Sequence, residues 1–355
     1  MHALLLAVVL AAPPAPADLP PPEPAIAEVP VKDEPAIAET SDEGLLVDRD
    51  RPSLLLVLGA PGTPEYATQF TTWAKRWETA AAQGGVRVRR IDASAAAPRQ
   101  QLESFLADET KTSPHELWIV LIGHGTFDGR VARFNLPGPD VAADDLAGWL
   151  DDFDRPMAVI NCASASGPFL TALARPGRVV ITATKSGQEQ NFARFGDLLS
   201  QHIANPEADL DHDGQTSLLE AWLMAARRTD EFYFSEGRLP TEHAVLDDTG
   251  EGEGVRPDAF QGVRPAQGFR GNATSEGTRA GQFCLVRSVE EQRIPAALRQ
   301  QRDAIEREVH ALHELKGELA SDEYYAQLET LLVRLAEMSM ESSVQSAGRE
   351  QVSPR

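Results

Sequence analysis

Five short strand-like runs punctuate the first two thirds of the chain, four of them apolar and the second interrupted by arginines: 54–58 (LLLVL), 86–91 (VRVRRI), 117–122 (LWIVLI), 157–160 (MAVI) and 179–183 (VVITA). Between the first two, Phe70, Trp73, Trp77 and Ala81 recur at the three-to-four spacing of a helix over 66–82. Near-continuous apolar strands separated by helical or loop segments predict a parallel sheet covered on both faces, an α/β fold. In such sheets chemistry gathers at the carboxyl ends of the strands.

After Gly250 the texture changes. Eight glycines between Gly250 and Gly281 and few bulky apolar residues predict a Gly-rich loop region over 250–288. Leu298, Ile305, Leu312 and Leu319 then recur every seven residues, and Ser321 with Asp322 and Glu323 reads as an N-cap and an acidic first turn. A C-terminal helical hairpin over 289–345 follows, with a disordered tail at 346–355. The hairpin is expected to dock on the domain or on a partner.

The other end reads as targeting and spacing. Residues 3–12 (ALLLAVVLAA) are apolar but too short for a membrane span, and Ala15-Pro16-Ala17 places small residues as a signal-peptide cleavage site requires. A signal peptide at 1–17 predicts export to the periplasm or medium, with no transmembrane segment after cleavage. Nine prolines between Pro13 and Pro35, mixed with Glu and Ala, make 18–50 a disordered linker.

Charge and cysteine content narrow the function. With 54 acidic and 33 basic residues in 355, the formal net charge is −21, which argues against a nucleic-acid partner. Two cysteines cannot build a disulfide framework. One of them, Cys162, directly follows the fourth of the five runs, and His124 in Gly123-His124-Gly125 directly follows the third. Both should emerge at one sheet edge. A thiol needs a base to become a thiolate, and acyl transfer needs N–H donors for the oxyanion. Gly125 and Cys162 would supply those donors.

The order His-Gly, then Cys, each after an apolar strand, resembles the caspase–legumain clan of cysteine peptidases, and the legumain branch most. There the His-Gly leads into a hairpin ending in Phe-Pro, as HGTFDGRVARFNLPGP does here, and the nucleophile stands in Cys-Glu-Ser-Gly-Ser, against Cys162-Ala163-Ser164-Ala165-Ser166-Gly167. The resemblance implies a caspase-like three-layer α/β/α sandwich over 51–249 and an exported, bacterial-type cysteine endopeptidase with a protein or peptide substrate. It also implies His124 as base and acid, Cys162 as nucleophile and Gly125 as oxyanion donor, with Asp197 in a substrate-binding pocket selecting a basic or Asn side chain. The family's Asp before the catalytic His is Gly123 here.

A second motif stands apart. Asp209, Asp211, Asp213 and Gly214, with Glu220 completing twelve residues, match the calcium-loop pattern, in which the Gln215 carbonyl is a further ligand. One structural Ca2+ and no organic cofactor are expected. Two readings therefore stand: a cysteine peptidase acting through a Cys162 thioester, or a catalytically inactive, calcium-stabilised pseudoprotease serving as an envelope binding or scaffold protein.

Overall fold

The computed structural model describes residues 51–266 and 276–350, with side chains as far as 340; the expected signal peptide, the linker and the end of the tail lie outside the described residues. All that is described belongs to one unit, Asp42–Arg355. In chain order its strands are β1 (Ser53–Leu58), β2 (Arg87–Ile91), β3 (Leu117–Ile122), β4 (Gly125–Phe127), β5 (Ala132–Phe134), β6 (Val141–Ala142), β7 (Met157–Asn161), β8 (Arg178–Thr182), β9 (Val245–Asp247), β10 (Phe260–Gln261) and β11 (Arg264–Pro265). Its α-helices are α1 (Pro64–Gln83), α2 (Pro98–Asp108), α3 (Ala143–Leu150), α4 (Gly167–Leu173), α5 (Phe195–His202), α6 (Leu218–Ser235), α7 (Thr278–Gln282), α8 (Val289–Arg293), α9 (Ala296–Glu314) and α10 (Ser321–Glu350).

The main sheet has the order β2-β1-β3-β7-β8-β9 and is parallel except for β9, which runs antiparallel to β8. Side chains alternate across it, as the two-residue period of a strand demands. Leu54, Leu56, Trp118, Val120, Ala158 and Ile160 face α1, α5 and α6. Leu55, Val57, Ile119, Leu121 and Val159 face α2, α3 and α4. The result is a mixed α/β, three-layer sandwich around a mostly parallel sheet.

Helix α1 starts where Thr63 caps Tyr66 N–H and Pro64 occupies the first turn, and it buries Phe70, Trp73 and Trp77. The connection from β3 to β7 carries a small antiparallel sheet, β4-β5-β6. The close approach of β1 and β3 at the sheet edge explains the glycine before His124. A Cβ on Gly123 would stand 3.0 Å from Gly59 Cα and from the Phe134 ring.

Two boundaries differ from those the sequence suggests. The end of the supposed loop region is core: Phe283, Cys284 and Leu285 are buried, with the Phe283 ring edge-on to Trp118 at 5.4 Å. The chain there, Phe283 to Val286, is a short apolar run whose Cys284 is expected to be buried or free, and its packing against β3 makes it core. The second hairpin helix also continues to Glu350. Helix α9 docks on the domain, where Gln282 Nε2 donates to the Asp303 carbonyl at 3.0 Å; α10 buries only Tyr324 along 321–340. No described helix is long and apolar enough to cross a membrane.

Candidate functional site

His124 leaves the end of β3 half-buried among the rings of Tyr66, Phe70 and Phe192, with centroids at 4.7, 5.2 and 5.9 Å. Its Nε2 lies 3.2 Å from the Pro61 carbonyl oxygen. A carbonyl only accepts, so that bond places the proton on Nε2 and leaves the lone pair on Nδ1. Burial holds the imidazole pKa below its ordinary value, with the Pro61 bond opposing. His124 is thus a neutral, oriented imidazole at the sheet edge.

Cys162 does not answer it. The alternation that sends Ala158 and Ile160 toward α1 sends Cys162 the same way, and the residue is 1% exposed. A Cβ on Gly196 would stand 2.6 Å from Cys162 Cβ and 3.1 Å from its Sγ, so the thiol fills the space that the glycine of α5 leaves open. Burial, and then the charge of Glu242, push the thiol up to about 12. No hydrogen bond joins it to His124. Its N–H is committed as well, donating to the Leu121 carbonyl at 2.9 Å in the β3–β7 ladder. The expectations that Cys162 is a thiolate beside His124 and an oxyanion donor are both corrected: the side chain belongs to the core, the N–H to the sheet.

The residue that meets the His124-Gly125 edge is Ser164. Its hydroxyl donates to the Gly125 carbonyl at 3.2 Å and lies 3.4 Å from the Gly125 N–H. The turn carrying it is strained. Ala165 has φ 53°, and its N–H donates to the Glu189 carbonyl at 2.8 Å. The Glu189 carboxylate in turn accepts from Lys185 N–H and pairs with His243 Nδ1 at 2.5 Å, tying three segments together behind the turn. Sequence reasoning missed Ser164, yet one signal was present. Counting back three residues from Gly167, as in Cys-Glu-Ser-Gly, lands on Ser164 and not on Cys162.

Asp197 lies in the first turn of α5 and pairs with Arg76 of α1 at 2.5 Å, part-exposed. It joins two helices, and its charge is already answered by Arg76. Glu242, which no sequence pattern marks, is the buried acid of this region. It accepts from Arg194 and Phe195 N–H at 2.9–3.0 Å and from the Tyr233 hydroxyl at 3.0 Å. Its own burial raises its pKa.

In the acidic loop three of the five expected ligands, Asp209, Asp211 and Asp213, bring one carboxylate oxygen each within 4.8 Å of the others. His212 at φ 62° and Gly214 at φ 87° make the sharp turn. Glu220 does not join them: Oε1 accepts from Leu210 and Asp211 N–H, and Oε2 from the Ser217 N–H and hydroxyl. It closes the capping box of α6 instead. The Gln215 side chain donates to Asp213 and accepts from Ser288 N–H, which ties the loop to the start of α8.

No family model and no curated protein matches the sequence. Among solved structures the chain is similar to the Drosophila initiator caspase Dronc at 12% identity and a TM-score of 0.40, over 65% of this chain and 96% of that one. A protein from Geobacter sulfurreducens matches at 13% and 0.39, over 55% and 92%. Caspase-1 from Spodoptera frugiperda matches at 9% and 0.38, over 56% and 87%. At these values the likeness assigns no role to any residue.

Proposed function

We propose that this chain is a pseudopeptidase: an exported, calcium-stapled α/β domain that binds a partner and does not cut it. The observation that carries this is the Cys162 thiol, packed against Gly196 with its pKa near 12. At neutral pH the thiol would stay protonated there, and its side chain lies among the core residues beside α1 and α5. Export rests on the pattern of residues 1–17, and the calcium on the three clustered aspartates, whose mutual repulsion a divalent cation would neutralise.

A second reading has one observation in its favour. Ser164 occupies the position beside Gly125, where a hydroxyl passing its proton to His124 Nδ1 could attack a carbonyl. As placed, the Ser164 hydroxyl gives its proton to the Gly125 carbonyl, so the inactive reading is preferred.

The test is cleavage of a peptide library, including Asn, Arg and Lys before the scissile bond, with calcium present, alongside labelling by a fluorophosphonate and by a peptidyl electrophile. The expected outcome is no cleavage and no label. Activity that survives Cys162→Ala and is lost in Ser164→Ala would establish the serine reading. Activity lost in Cys162→Ala would restore the thiol and overturn the proposal.

A further inference from the structure

The outer strand of the main sheet, β2, has an open backbone edge. In the parallel ladder Arg87 N–H donates to the Pro52 carbonyl at 2.9 Å, and the register pairs Ser53 with Arg87 through Val57 with Ile91. Alternation then commits the N–H and C=O groups of Arg87, Arg89 and Ile91 to β1 and turns those of Val88 and Arg90 outward. Among the described residues these outward groups have no hydrogen-bond partner. Beside them a groove of about 630 Å³ runs between β2 and α2, lined by Arg87, Arg89, Gln101 and Ser104, with Glu109, which Arg87 neutralises, and Asp108 at one end.

The charge on this edge runs against the rest of the molecule. In a chain of net charge −21, β2 reads Arg-Val-Arg-Arg-Ile. Arg87 is paired with Glu109 at 2.5 Å, and Arg90 with Glu78 at 3.3 Å. Arg89 is exposed and unpaired among the described residues. It projects on the same face as Ile91, toward the groove. A second copy of this strand would set arginine against arginine, which disfavours self-pairing.

We propose that the β2 edge is the docking site of an extended, acidic segment of a partner protein. The segment would add as a seventh strand, with backbone bonds to Val88 and Arg90 and a carboxylate on Arg89. Main-chain pairing of this kind gives affinity, and the charged side chain selects the partner. The proposal gives a surface to the binding role above and rests on that reading. The surface is separate from the His124 edge, because β1 lies between β2 and β3.

The probe is a fluorescein-labelled ten-residue peptide of alternating Glu and Val, added to the full chain, with a Lys-for-Glu peptide as control. Anisotropy should report binding of the acidic peptide alone, weakened more than tenfold by Arg89→Glu and largely kept by Arg89→Lys. Hydrogen exchange should slow at the Val88 and Arg90 amides when it binds. The proposal is overturned if the acidic peptide does not bind, if Arg89→Glu leaves binding unchanged, or if those two amides are already protected in the free protein. It is equally overturned if their protection follows protein concentration, as pairing of two copies would require. Cleavage of library peptides with intact edge binding would overturn the pseudopeptidase reading alone, so the two failures are distinguishable.

Discussion

Gly196 is the residue on which the Cys162 environment depends. With no Cβ, it lets the thiol and the Trp73 ring close over one another; a methyl there would stand 2.6 Å from Cys162 Cβ and 2.9 Å from the indole. Gly196→Ala should therefore destabilise the fold by about 1–3 kcal/mol through overpacking. Urea unfolding would show a lower midpoint at unchanged slope, and an equal midpoint would mean the thiol is not packed as described. Residue-level chemistry was the least legible part of the sequence. A cysteine ending an apolar strand reads the same whether it points at a cleft or into the core. What separates the cases is the face it shares with Ala158 and Ile160, together with a glycine 34 positions later in the chain.

A buried acid supplies a second residue-scale prediction. Glu276 accepts from Asp248 N–H at 2.9 Å and lies beside Asp247, Asp248 and the Thr249 hydroxyl, with Arg279 nearby in α7. Burial, and then the Asp248 carboxylate, push it up to about 9 from an ordinary 4.5. The folded state binds this proton more tightly than the unfolded chain does. Its contribution to stability is complete below about pH 4.5 and is lost as pH rises toward 9. Glu276→Gln keeps a donor toward Asp248 without a titrating group. The variant should be more stable than wild type at pH 8, with the difference shrinking toward pH 5. Parallel stability curves from pH 5 to 9 would show that Glu276 does not titrate above its ordinary range.

At the scale of elements the sequence was far more informative. The five strand-like runs became β1, β2, β3, β7 and β8, and the aromatic spacing became α1, because period and burial are local properties of a run. The three-residue β9 escaped, since it is too short to show a period, whereas the apolar run around Cys284 was legible as buried but not as part of the main core. The acidic loop was legible as a pattern but not in full as a ligand set. Glu220 matched the spacing, yet it is held by four donors in and around the α6 cap.

The element that calcium would act on is that loop and the helix it leads into. The Asp211 pKa is raised first by its burial and then by the charges of Glu220, Asp213 and Asp209. Calcium binding the native state alone would add about 2.7 kcal/mol at a hundredfold excess over its dissociation constant. Melting with calcium against chelator should differ in wild type and coincide in Asp213→Asn. Coincident wild-type curves would dismiss the ion.

For the whole molecule, a parallel sheet carries an oriented imidazole at its edge while the Cys162 thiol is enclosed in the core beside α1 and α5. The two cysteines then offer an internal comparison, since Cys284 is buried as well and its thiol is also pushed far up by burial. The most direct measurement is the rate of iodoacetamide alkylation of each cysteine in the native protein at pH 7.5, followed by peptide mass spectrometry. Cys162 and Cys284 should both be nearly inert. Both should become reactive at the same urea concentration, where the fold is lost. Rapid native labelling of Cys162, with Cys284 protected and the reaction slowed by His124→Ala, would show an accessible thiol activated by that histidine and would contradict its enclosure in the core.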